Sequence, residues 1–60
     1  MKSYLILVFD SREQEPIQLN AEMAHDARAG EFACERLESS RYFTAIEVWR
    51  DQTKVFERAA

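Results

Sequence analysis

Three side chains in this sequence are of types that carry out chemistry in proteins, namely Asp10, His25 and Cys34. A histidine that acts as a base needs a carboxylate hydrogen-bonded to its ring. Asp26 follows His25 directly, but adjacent residues of a helix point about 100° apart, so the two side chains cannot form that pair. Cys34 lies among glutamates, a negative surrounding that disfavours a nucleophilic thiolate. We therefore predict a solvated histidine near a helix start and a cysteine at the core or its edge.

Metal and cofactor sites have equally few candidates. Asp10 follows an apolar run, a position where acidic residues serve phosphotransfer and metal sites in many α/β folds, but no second carboxylate stands at a motif spacing. Glu22 and His25 are three residues apart and lack a third ligand. One glycine excludes a glycine-rich phosphate loop, and one cysteine excludes a cysteine-pair zinc motif. We predict no enzyme, cofactor or metal; catalysis would require Asp10, His25 and Cys34 to meet across a dimer.

The composition limits the partners. The formal net charge is −3 and the basic residues are dispersed, so nothing draws the chain toward phosphate backbones or anionic lipid. We predict no nucleic-acid partner and no membrane association. The apolar run near the N-terminus is shorter than a secretory core region, and a single cysteine fits a reducing compartment, which together predict a cytoplasmic location. The 60 residues are expected to form a single domain over residues 1–60.

The elements that would position these side chains are those of an α+β domain. Residues 4–9 are all apolar, which is typical of a strand buried on both faces. Residues 17–23 alternate apolar and polar, as in a half-buried strand, although Asn20 is also a suitable helix cap. The prediction is therefore a small, largely antiparallel sheet in the order ββαββ, or βαββ if residues 17–23 are helical, with one helix on one face. The predicted strands are residues 3–9, 17–22, 42–50 and 53–58, and the predicted helix is residues 24–39.

The predicted helix is amphipathic. At about 100° per residue its glutamates and Arg28 fall opposite the apolar side chains. Cys34 falls near the edge of the apolar stripe, and Gly30 falls at its margin. The stripe consists of Ala29, Phe32, Ala33 and Leu37. One such helix covers only one face of a sheet.

The aromatic and β-branched residues in the last third of the chain predict a hairpin that turns at residues 50–53. Counting back from that turn places Trp49 opposite Lys54, Val48 opposite Val55 and Glu47 opposite Phe56. The side chains expected to face the helix are Ile46, Val48 and Val55. Those expected on the opposite face are Phe43, Ala45, Trp49 and Phe56, interrupted by Glu47 and Lys54. Asp51 and Gln52 are not a favoured turn pair, and a slip of one residue would exchange the two faces.

The uncovered face supports the functional prediction. Phe43, Trp49 and Phe56, with Lys54 beside them, are predicted to form an apolar patch together with one side-chain set of the first strand. Contiguous apolar patches mark interfaces or binding grooves, and aromatic residues are frequent interface anchors. A chain this short is marginally stable alone. We predict a homodimeric structural or regulatory interaction module, with an unidentified protein partner or a small molecule bound at the aromatic sheet face as the alternatives. A further alternative is that the sheet curls around the helix, so that these rings form the rim of the single core and Lys54 stacks over Trp49.

One sequence pattern resembles a known group of proteins. Ala29-x-x-x-Ala33-x-x-x-Leu37 is followed by the strand segment Glu47-Val48-Trp49 and a short final strand. This order of elements resembles small uncharacterised bacterial α+β proteins of unknown function. The resemblance implies the α+β fold and a bacterial source, and it implies no activity.

Overall fold

The apolar run of residues 4–9 lies within the first strand, β1 (Lys2–Asp10), which is paired on both sides. In the computed structural model, which describes residues 1–60, a strand β2 (Ile17–Met23) runs antiparallel along one side of β1. A third strand, β3 (Phe43–Arg50), runs antiparallel along the other side. A last strand, β4 (Thr53–Ala59), pairs with β3, so the sheet order is β2-β1-β3-β4.

The helix α1 (Asp26–Glu38) connects β2 to β3 and crosses one face of the sheet. β2 and β3 are each antiparallel to β1, so they run parallel to each other on either side of it. A connection between two parallel strands of one sheet has to pass over a face of that sheet. α1 packs chiefly over β3 and β4. The α+β class and the ββαββ order are thus confirmed, and residues 17–23 form a strand rather than part of a helix.

The two faces of β1 have different surroundings. Tyr4, Ile6 and Val8 point toward α1 and are at most 2% exposed. Their neighbours at odd positions, which the strand alternation directs to the other side, are only half-buried. The hydrophobic core is one cluster under the helix: Tyr4, Ile6, Val8, Met23, Ala29, Ala33, Leu37, Ile46 and Val48.

α1 begins and ends with local hydrogen bonds. His25 is the N-cap residue, and its Nδ1 atom accepts a hydrogen bond of 3.1 Å from the Arg28 N–H. This satisfies one of the N–H groups that a first helical turn leaves without a partner. At the other end, the Ser39 hydroxyl donates to the Arg36 carbonyl at 2.6 Å. The predicted apolar stripe faces the sheet, with Gly30 buried inside it and Phe32 half-buried at its flank.

The last hairpin contains a β-bulge that the sequence analysis did not predict. Arg50 pairs with Thr53 and Trp49 with Lys54, as expected, but the register then shifts. Val48 lies opposite Phe56, so the predicted Val48–Val55 pair is wrong; so is the predicted Glu47–Phe56 pair, because Glu47 lies opposite Glu57. The additional residue Val55 absorbs the one-residue shift, which is what a bulge does.

The bulge places Phe56 on the helix side of the sheet, where it packs against the core. Its ring lies close to Gly30: a Cβ atom at Gly30 would be 3.3 Å from Cδ1 of Phe56. Phe43 also packs against the core, because a second irregularity, between Phe9 and Asp10, shifts its pairing. The predicted positions of Phe43 and Phe56 on the face opposite the helix are therefore wrong.

Candidate functional site

The face of the sheet opposite α1 has no covering element. We call its apolar residues the open-face strip, which consists of Leu5, Leu7, Phe9, Ala45 and Trp49. The strand register joins them, because Leu5 lies opposite Trp49 and Phe9 lies opposite Ala45. All five residues are half-buried, since neighbours on a sheet face shield one another laterally. The strip is therefore an apolar surface that the fold leaves without a second layer.

Trp49 is held in place by charged neighbours. Its Nε1 atom donates a hydrogen bond of 3.0 Å to a Glu47 carboxylate oxygen. The Lys54 ammonium lies 5.8 Å from the centre of the indole ring, within reach of a cation–π attraction. Lys54 also donates to Glu57 at 2.9 Å, and this hydrogen bond raises the pKa of Lys54. The indole thus has a hydrogen-bond acceptor and a cation beside it within the chain. Of the four predicted site residues, Trp49 and Lys54 lie side by side on the uncovered face. Phe43 and Phe56 instead pack against the core on the helix side of the sheet.

A shallow pocket of about 470 Å³ adjoins Trp49 at one end of the open-face strip. Tyr4, Leu5, Ala21 and the indole form its apolar part, and Asn20, Glu22 and Asp51 supply polar and acidic groups. The ring face and the two carboxylates attract positive charge, whereas the Lys54 ammonium over the ring repels it.

Asp10 has a structural role at the end of β1. Its side chain is 1% exposed and accepts three hydrogen bonds from Arg12, from the backbone N–H at 2.8 Å and from the side-chain Nε and Nη2 atoms at 3.0 and 2.7 Å. The Arg12 side chain holds the pKa of the Asp10 carboxyl below its usual value. The guanidinium also stacks on Tyr42, 4.0 Å from the ring centre. Arg12 thus occupies three of the roughly four acceptor positions of the Asp10 carboxylate, and the side chain is almost closed to solvent.

The structure does not bring Asp10, His25 and Cys34 together. His25 caps α1 near the start of β1, since Met23 pairs with Lys2, whereas Asp10 lies about 25 Å further along that strand. Cys34 is a free, half-buried thiol in the middle of α1. No group of three or more histidine, cysteine, aspartate or glutamate side chains is placed to hold a metal ion.

A hydrogen-bonded cluster that the sequence analysis missed joins three elements. The Tyr4 hydroxyl, buried under the helix, donates to Asp26 Oδ1 at 2.7 Å. Arg50 binds both oxygens of the same carboxylate, at 3.1 Å each. The hydrogen bonds from Arg50 and then from Tyr4 lower the pKa of Asp26 to about 2, and burial raises the pKa of Tyr4. A tyrosine inside an apolar run was the one sequence signal, because a buried hydroxyl needs a partner.

Comparison of the chain with protein-family models, with curated proteins and with solved structures gives no match. The only helix, α1, has 13 residues and is neither long nor apolar enough to cross a membrane.

Proposed function

We propose that this protein is a non-catalytic, homodimeric structural or regulatory interaction module whose two copies meet through the open-face strip. The observation that carries the proposal is that Leu5, Leu7, Phe9, Ala45 and Trp49 form one apolar surface with no covering layer. Two sheets packed face to face, about 10 Å apart, would interdigitate these side chains. A free thiol at Cys34 suits the reducing cytoplasm as the place where the module acts.

The size of the face agrees with a small dimer interface. The molecule measures 32 by 19 Å along its two longer axes, which corresponds to a flat footprint of about 600 Å². Stable interfaces bury roughly 600–1,000 Å² on each partner. Nearly the whole face is therefore required, and the apolar strip would occupy its centre with polar side chains of β2 and β4 at the rim.

The charges on the face do not add to the attraction between copies. A two-fold interface places the same surface on both sides, so a patch that carries net charge would repel itself. Lys54 pairs with Glu57 at 2.9 Å and lies 4.0 Å from Glu47, which offsets part of the negative charge next to the strip. Glu22 and Asp51 add negative charge at the Trp49 end, so the apolar area of the strip has to supply the association energy.

The test is the oligomeric state of a variant that changes the centre of the strip. Leu7→Lys removes apolar surface and places the new ammonium opposite Glu47, so the monomer keeps a favourable cross-strand pair. We expect sedimentation equilibrium to show a dimer for the unchanged protein and a monomer for Leu7→Lys. Ile17→Lys is the matched control, because Ile17 is 38% exposed and lies off the strip. A monomeric unchanged protein, or a dimer that tolerates Leu7→Lys, would contradict the proposal.

A second candidate function is binding of a small organic cation in the pocket next to Trp49. The observation that favours it is the combination of an ordered indole with the acidic side chains of Glu22 and Asp51. Choline is a suitable probe, since quaternary ammonium groups bind to aromatic ring faces. We expect choline to change Trp49 fluorescence in the unchanged protein, diluted until it is monomeric, and to have a weaker effect in Glu22→Gln under the same conditions. If the fluorescence of both proteins is unaffected at about 10 mM choline, this second candidate is excluded.

A further inference from the structure

A groove of about 640 Å³ lies between α1 and β4, on the opposite side of the sheet from the open-face strip. Its floor is apolar and consists of Gly30 and Cys34 from the helix and Val55 and Phe56 from the strand. The β-bulge creates this floor, because it directs Phe56 toward Gly30. The groove therefore exists only in the bulged register.

The rim of the groove is acidic. Asp26 is already paired with Arg50, but Glu31 has only a distant contact of 3.8 Å with Arg28, and its side chain is 68% exposed. Glu35, one helical turn further on, forms no ion pair. Arg58 of β4 lies beside Cys34 and contacts Glu38 at 3.9 Å, so it offsets part of the negative charge at one end of the groove. The negative charge that is not paired lies at Glu31 and Glu35 above the apolar floor, which suits a ligand with a long aliphatic stem and a positive end.

β4 is an edge strand, so one side of its backbone has no partner in the sheet. The Ala60 N–H donates to the Thr44 carbonyl at 2.9 Å, and the register in this part of the ladder is regular. Alternate residues of an antiparallel ladder point their backbone groups in opposite directions. Glu57 and Ala59 therefore direct their N–H and C=O groups outward, on the part of the edge that follows the groove residue Phe56.

We propose that the groove and the β4 edge together bind an extended basic segment of a partner protein as a fifth strand. Its backbone pairs with Glu57 and Ala59, which is the β-augmentation mode of peptide recognition. Lysine or arginine at alternate positions covers Val55 and Phe56 with aliphatic stems and carries positive ends to Glu31 and Glu35. The spacing agrees, since alternate strand residues are about 6.7 Å apart and one helical turn rises about 6 Å between positions i and i+4.

The charge argues against a second copy of this chain at the same edge. Pairing β4 with β4 would bring two grooves together, each with its own Glu31 and Glu35, and like charges in juxtaposition disfavour such a contact. A basic strand from another protein has the complementary charge. This edge remains accessible when two copies pair through the open-face strip, so the two proposals stand or fall separately.

The probe is a synthetic peptide of about seven residues in which lysine and threonine alternate. We expect binding with a Kd of about 0.1–1 mM, followed by NMR, and slower hydrogen exchange at the Glu57 and Ala59 amides. The double variant Glu31→Gln/Glu35→Gln should weaken binding about tenfold. Glu13→Gln/Glu15→Gln, which removes the same charge from the exposed loop after β1, should leave the Kd within about twofold.

Three results would overturn the proposal. The first is equal binding of the peptide to both double variants, which would show that only net charge matters. The second is undiminished binding of a peptide whose alternate amides are N-methylated, because such a peptide cannot pair with an edge strand. The third is slower exchange at Glu57 and Ala59 when the protein alone is concentrated, which would identify a second copy as the occupant.

Discussion

Asp26 connects the start of α1 to two strands through one carboxylate. It accepts hydrogen bonds from Tyr4 on β1 and from Arg50 on β3, and it also stands in the first turn of the helix. A negative charge there is favourable because helix N-termini carry partial positive charge. Hydrogen bonds from Arg50 and then from Tyr4, together with the positive charges of Arg50 and Lys2, favour the ionised form of Asp26, which is why its pKa falls from 3.8 to about 2.

This lowered pKa predicts a specific pH dependence of stability. The folded protein holds the Asp26 proton less tightly than the unfolded chain does, so the stabilisation is complete above pH 3.8 and is lost as the pH falls toward about 2. Asp26→Asn should lower the free energy of unfolding near neutral pH and flatten its decrease across that interval. Urea unfolding at several pH values measures both effects. Glu13→Gln, in the exposed loop, serves as the control, and an identical acid profile for Asp26→Asn and the unchanged protein would contradict the prediction.

The Phe56 ring limits which residue can replace Gly30 on the facing helix. Replacing a helical glycine by alanine usually stabilises a helix by about 1 kcal/mol. At Gly30 the new Cβ atom would lie 3.3 Å from Phe56 Cδ1, so the ring has to move. We expect Gly30→Ala to be nearly neutral in the unchanged protein and to stabilise by about 1 kcal/mol in a Phe56→Ala background. Thermal unfolding of the four proteins in this cycle measures the coupling, and a zero coupling energy would show that the two residues are independent.

The β3–β4 hairpin is the element in which local and tertiary preferences conflict. Its two-residue turn has Asp51 at a φ angle of 57°, in the left-handed region that glycine adopts without strain. A regular ladder from this turn would direct Phe56 to the uncovered face. The bulge at Val55 instead returns Phe56 to the core, because burying an aromatic ring outweighs the loss of one ladder position.

The turn itself predicts a stabilising substitution. Asp51→Gly relieves the left-handed conformation and should raise the free energy of unfolding by about 0.5–1 kcal/mol. Gln52→Gly is the matched control, since Asp51 is the only non-glycine residue of the chain with a positive φ angle. Chemical denaturation of both variants provides the measurement. A larger gain from Gln52→Gly than from Asp51→Gly would show that the turn has a different conformation.

At the scale of the whole molecule, a helix on one face and an uncovered strip on the other predict that stability depends on protein concentration. A dimer unfolds with a Tm that rises with concentration, because association stabilises the folded state by mass action. We expect the Tm to rise by several degrees over a hundredfold range of concentration and to be constant for Leu7→Lys. Differential scanning calorimetry measures this shift. A concentration-independent Tm in the unchanged protein would indicate that the open-face strip remains in water.

Local sequence patterns were sufficient to predict the elements and the apolar stripe of α1. The strand at the six apolar residues of β1, the alternation in β2 and the period of Ala29, Ala33 and Leu37 each depend on a single segment, and each is confirmed. The predicted burial of β1 on both faces is not, because one face of this strand is only half-buried. The turn at residues 50–53 is confirmed for the same reason. Periodicity within one segment reports which of its residues share a face, whatever that face packs against.

Only the tertiary structure decided which face of β1 meets the helix, where the ladders shift and which side chains belong to the uncovered surface. Phe43 and Phe56 were predicted there and lie against the core, whereas Leu5, Leu7 and Phe9 line it. Bulges form when packing energy between distant segments exceeds the cost of one irregular pair, and no local pattern contains that comparison. The contact of Tyr4 and Arg50 with Asp26 joins residues 22 and 24 positions apart, so it likewise arises only when the sheet and helix are assembled.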